Sequence, residues 1–211
     1  MTIENLKSRV SEIISRDDCS AEFFFLIDNN DGMNVKSVEI VDGDHMELEA
    51  LFMASVSDSI LLDDNLSLIE LSSADDRRDA LYRYDLEEIP SQLEYLKEII
   101  ENESFETFDF TKDSLSHLEG ILILLGNEES QIAIYKHQYP ISLMKKDSGV
   151  FNLMKPNGGS RFKKLDVDIL KINKKFEFFK VDGQYYILDI KALERFFGFL
   201  HIPANVNAHS G

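Results

Sequence analysis

Apolar and polar positions alternate with periods that divide the chain into short strands and amphipathic helices. Ile3, Leu6, Val10, Ile13 and Ile14 recur at helical spacing behind Thr2, a residue suited to cap a helix. Glu22 to Asp28 encloses the run FFFLI, which reads as a buried strand, and Val35 to Val41 reads as a second strand. Met46 to Leu61 is loosely helical, and Leu66 to Leu71 alternates as a strand does. Ser91 and Glu94 have the S-x-x-E spacing of a capping box, with Leu93, Leu96, Ile99 and Ile100 continuing a helix to about Asn102. Gly120 to Gly126 and Gln131 to Tyr135 flank the polar turn Asn127–Ser130, a hairpin signal.

The sharpest local prediction lies near the C-terminal end. Asp182-Gly183 is a two-residue turn of the kind that closes a hairpin, because both positions tolerate positive φ. That turn sets Val181 against Gln184, Lys180 against Tyr185, Phe179 against Tyr186 and Phe178 against Ile187. Bulky apolar groups fall on both faces, so both faces are expected to be covered. Asp189 follows as a helix N-cap, Ile190, Leu193, Phe196 and Phe197 as a helical stripe, and Gly198 as its stop. Upstream, Leu165, Val167 and Ile169 alternate with Asp166 and Asp168 as a half-exposed strand. Strands come as neighbouring pairs more than as β-α-β units. The expected fold class is therefore α+β, a mainly antiparallel sheet with helices packed on it. We divide the chain into an acidic α/β part (1–80), an α+β part with a basic strand region (81–199) and an unstructured tail (200–211).

Charge changes this picture. The net charge is −17. Residues 1–135 hold 9 Lys and Arg against 32 Asp and Glu, whereas residues 136–195 hold 13 against 7. A basic segment in an acidic chain points to a confined, oriented contact with a polyanion. The candidate DNA-binding residues are Arg161, Lys163, Lys164, Lys171, Lys174, Lys175 and Lys180. Lysines of this kind are also the ordinary means of keeping a strand edge soluble.

Catalytic and metal motifs are weak. The five histidines are scattered, and neither a G-x-S-x-G nor a P-loop sequence occurs. Asp182, Asp189 and Lys191 imitate the order of a metal-dependent nuclease, but a turn and a helix cap already account for both aspartates. The Asp28–Gly32 turn lacks the ligand spacing of a calcium loop. No catalytic residue, metal ligand or cofactor is assigned. A single cysteine, Cys19, excludes an internal disulfide and fits a cytoplasmic setting. No apolar run is long enough to enter a membrane directly.

Several stretches together carry a resemblance. They are Leu81–Asp85 with Ile89-Pro90, Leu118–Gly120 with Leu124–Gly126, Tyr135–Pro140, and Arg161-Phe162 through Leu193–Phe199. Over about residues 80–199 the chain resembles the KwaB family of the Kiwa bacterial anti-phage defence system. The resemblance implies a cytoplasmic effector that binds DNA and acts with KwaA, a membrane-embedded partner, and it supplies no catalytic residues. Homodimerisation is a further expectation. Two other readings stay open from the residues themselves: a Mg-dependent nuclease, and an acidic protein-interaction module that docks a partner or mimics DNA.

Overall fold

A computed structural model describes residues 1–29, 31–74, 80–109, 111–138, 150–154, 163–164 and 170–198, with the backbone alone for 150–154, 163, 164 and 171. Its centre is an eight-stranded sheet in the order β2-β1-β5-β6-β10-β11-β4-β3. The strands are β1 (Ser20–Asn29), β2 (Gly32–Ser37), β3 (Ser67–Glu70), β4 (Ala80–Arg83), β5 (Leu118–Gly126), β6 (Gln131–His137), β10 (Phe178–Val181) and β11 (Gln184–Ile187). Every neighbouring pair is antiparallel except β3 with β4. The α+β expectation is borne out. Strands from before and after residue 80 share this one sheet, with β2 and β1 at one end, β3 at the other and the later strands between them. A second, three-stranded sheet has the order β8-β7-β9, from β7 (Val150–Met154), β8 (Lys163–Lys164) and β9 (Leu170–Asn173).

Both faces of the large sheet are covered, because its strands are apolar on both sides. On one face Phe23, Phe25, Ile121, Ile123, Ile134, Phe179 and Tyr186 meet α1 (Ile3–Ile14), α2 (Asp42–Val56), the small sheet through Leu170 and Ile172, and Phe176 just after it. On the other, Phe24, Leu122, Leu124, Tyr135, Phe178 and Ile187 meet α3 (Ser91–Glu101) and α4 (Ile190–Phe197). α1 buries Leu6, Val10 and Ile13, and Thr2 Oγ1 accepts the Asn5 N–H at 3.3 Å. Each fully buried aliphatic side chain of this kind contributes about 1.5–3 kcal/mol.

Local chemistry sets the hairpin of β10 and β11. All four cross-strand pairs are those the Asp182-Gly183 turn requires, with φ of +47° and +78° at the two turn residues. Asp189 Oδ1 accepts from the Lys191 and Ala192 N–H groups, and Gly198 ends α4 at φ +63°.

Three expectations need correction. Ser91 and Glu94 do not form a capping box. Leu93 N–H donates to the Pro90 carbonyl at 2.9 Å, so the helix starts one residue earlier and Ser91 is already inside it. The helix expected from Met46 begins at Asp42, and its last turn, Ser57–Leu61, is a π-helix. The second strand ends at Ser37, where the chain meets the 106–108 segment through two 2.9 Å backbone hydrogen bonds that cover part of the β2 edge. The alternating 165–169 stretch and the 200–211 tail lie outside the described residues.

Candidate nucleic-acid interface

The small sheet is built around β7. Lys164 pairs with Leu153, which on its other side pairs with Leu170; Lys163 pairs with Met154, and Lys171 with Asn152. By the two-residue alternation of a strand, Lys163 and Lys171 fall on one face of this sheet. Lys164 falls on the other, in the row of Leu170, which is buried against the core.

Lys174 and Lys175 follow directly on β9, and both are exposed. Lys174 Nζ stands 3.0 Å from Asp58 Oδ2, with both side chains about half exposed (51% and 49%). A pair so open to water contributes at most about 1 kcal/mol and does not fix the ammonium. Ser55 Oγ donates to the Lys174 carbonyl, which ties this corner to the end of α2. The Lys175 ammonium has no carboxylate of the described residues against it. Arg161 lies outside the described residues. Lys180 is not beside the others. It shares a face with Phe178, opposite to the one the small sheet packs on, and is 8% exposed with Nζ 4.7 Å from the centre of the Tyr185 ring.

One buried lysine holds this corner in place. Lys136 takes the next inward position after Ile132 and Ile134 on β6 and is 3% exposed. Its ammonium donates to Asn173 Oδ1 and to the Lys175 carbonyl, each at 2.6 Å. Asn173 Oδ1 also accepts the Lys175 N–H at 3.0 Å. The backbone that presents Lys174 and Lys175 is thus fastened to the centre of the large sheet. Burial pushes the Lys136 ammonium down to about 8, against the pull of Glu177 and with the help of Lys175. Burial likewise pushes the Glu177 carboxyl up, against Lys136. Sequence reading missed this cluster. Its signal was a lysine at an inward-facing position of an apolar strand, but its partners lie about forty residues away.

Next to it, the His137 ring stacks on Phe196 of α4 at 3.7 Å, and the His137 backbone N–H donates to Glu177 Oε2 at 2.8 Å. Burial, then the Lys136 charge, holds the imidazole down to about 4. The unfolded chain therefore takes up this proton first as pH falls below 6.5, so His137 adds stability as pH rises from about 4 to 6.5. Glu177 acts in the opposite sense above 4.5, because its folded carboxyl stays protonated longer. His137→Phe keeps the stacked ring and removes the titration. Urea midpoints at pH 5 and pH 7 are expected to rise more for the wild-type chain than for this variant. Equal rises would contradict the assignment.

The nuclease-like residues have structural tasks. Asp182, in the hairpin turn, is paired with Arg9 of α1 at 2.9 Å, and Asp189 caps α4. Among the described residues no three His, Cys, Asp or Glu side chains gather within metal-binding range. No described helix is long and apolar enough to cross a membrane.

Fold and site together define an α+β protein with a lysine-bearing three-stranded sheet set on an acidic body. The model of the KwaB family, described as Kiwa protein KwaB-like, matches residues 115–208. The Kiwa protein KwaB of Escherichia coli O55:H7 (strain RM12579 / EPEC) is 24% identical over 195 residues, which cover 92% of this chain and 60% of that protein. The chain is thus KwaB-like, and it spans about 60% of the length of the curated relative it matches. No solved structure matches it significantly.

Proposed function

We propose that this chain is a component of Kiwa anti-phage defence that holds DNA without cutting it. Lys163, Lys171, Lys174 and Lys175 neutralise backbone phosphates together with Arg161, whereas Lys164, in the row of Leu170, is left out of the contact. Lys180 contributes to the fold and not to the contact. The observation that carries this reading is the placement of Lys174 and Lys175 at one solvent-facing corner directly after β9, fastened by Lys136, in a chain whose remaining surface is strongly acidic. An acidic body repels a polyanion everywhere else, so the strand is guided to this corner. The chain acts in the cytoplasm, as a homodimer that doubles the basic surface, beside the membrane-embedded partner KwaA.

Titration of a labelled 20-base-pair duplex with the full chain tests the reading. With about five phosphates neutralised, affinity is expected to fall by two to three orders of magnitude between 50 and 200 mM salt. Binding that ignores salt, or no binding at 50 mM, would overturn it. Plasmid incubated with Mg²⁺ or Mn²⁺ is expected to remain intact.

A further inference from the structure

The acidic part of the molecule is not uniformly solvated surface. On the face of the large sheet that carries α3, a groove of 730 Å³ runs between the C-terminal end of α3 and the turn joining β5 to β6. Volumes of about 300–1,000 Å³ are those that take up organic ligands and anchoring side chains. Phe24 and Leu124 form its floor, and Ile100 and Phe105 form one wall. Phe105 packs edge-on against Phe24 at 5.1 Å, so that wall is fixed to the floor. Ile100 is 37% exposed, one of few large apolar side chains left so open among the described residues.

The charged residues lining this groove are Glu22, Glu103 and Glu128. All three are exposed, and no lysine or arginine of the described residues lines the groove with them. The chain pairs other acids where it can: Glu129 with Arg16 at 3.2 Å, Glu106 with Lys36, Asp182 with Arg9. These three have no cation against them among the described residues. A second hollow of 520 Å³ shares Glu22, Leu124, Glu128 and Gln131 with the groove, so the acidic track extends past the β5–β6 turn to Arg16.

We propose that this groove is a docking site for a short cationic, amphipathic segment of a partner protein. Lysine and arginine have the chemistry it asks for. Their methylene stems lie on Leu124, Phe24 and Ile100, and their charged heads reach Glu22, Glu103 and Glu128. The lone carboxylates attract and orient the segment, while the apolar floor supplies area that a hydrated cation alone does not use. Nucleic acid is repelled here. The site uses none of the residues assigned to DNA, so either proposal survives failure of the other.

The test uses the full chain and a labelled 14-residue probe peptide, with leucine at helical i, i+3, i+4 and i+7 spacing and lysine elsewhere. The variant Glu22→Gln/Glu103→Gln/Glu128→Gln is expected to weaken binding at least about tenfold, as loss of close charge pairs does. A control, Glu39→Gln/Asp64→Asn/Glu87→Gln, removes the same charge outside the groove and is expected to change binding less than about twofold, the size of a screened long-range effect. Ile100→Lys puts a cation in the groove without touching the carboxylates, and is expected to match the groove variant. Equal losses from groove and control variants, or no loss from either, would overturn the proposal. So would sedimentation showing that the chain associates with itself through the groove, with the groove variant monomeric.

Discussion

Gly126→Ala is expected to destabilise the protein by on the order of 3 kcal/mol, through the combined cost of backbone strain and overpacking. Gly126 has φ +143°, a conformation that side chains with a Cβ rarely adopt. An added Cβ would stand 2.2 Å from the Ser130 carbonyl oxygen and 2.9 Å from the Gln131 Cα, both backbone atoms that cannot swing aside. The turn is rigid on the other side as well. Asn127 N–H donates to the same Ser130 oxygen at 3.1 Å, and Asn127 Oδ1 accepts from the Glu129 and Ser130 N–H groups. This hairpin joins the interior strands β5 and β6, which are covered on both sides, so its disturbance reaches both faces of the sheet. Gly183→Ala is the comparison. Gly183 also has positive φ, +78°, but an added Cβ meets nothing within 4 Å. Its cost is expected near 1 kcal/mol, roughly that of left-handed backbone alone. Urea denaturation of both variants checks this, and a Gly126→Ala loss no larger than that of Gly183→Ala would contradict the geometry.

Lys171→Glu/Lys174→Glu/Lys175→Glu is expected to weaken duplex binding at least about thirtyfold at about 100 mM salt and to lower the salt slope by about three. The corner holding Lys174 and Lys175 is set by backbone hydrogen bonds to Lys136 and Ser55 that these substitutions leave alone. A carboxylate in place of the Lys174 ammonium would face Asp58, so part of the loss would come from local repulsion. The milder Lys171→Gln/Lys175→Gln variant avoids that contact and is expected to lower the slope by about two. Unchanged affinity in both variants, with unchanged urea midpoints, would remove this surface from the account.

What was legible in the sequence was what short-range chemistry decides. The Asp182-Gly183 turn fixes its hairpin register because only certain residues accept positive φ at both positions. Asp189 and Gly198 bound α4 for equally local reasons. The capping box at Ser91 failed because Pro90 also fits the start of a helix, and its carbonyl accepts the first bond. The sheet order was not legible. It places β1 between β2 and β5, and joins β11 to β4 across about a hundred residues, contacts that no periodicity encodes. The site was legible in composition but not in arrangement. Lys180 reads as part of a basic run, whereas strand alternation turns it to the face of Phe178, under Tyr185. Lys136, which fastens the corner, reads only as one more lysine until its bonds to Asn173 and Lys175 are seen.

Amide hydrogen exchange of the full chain, with and without a saturating 20-base-pair duplex, tests the central claim most directly. Slowed exchange is expected in the backbone of β9 and the Asn173–Lys175 corner, and of β8, with the acidic α3 face unchanged. Slowed exchange confined to residues 1–135, with none from Lys163 to Lys175, would contradict it.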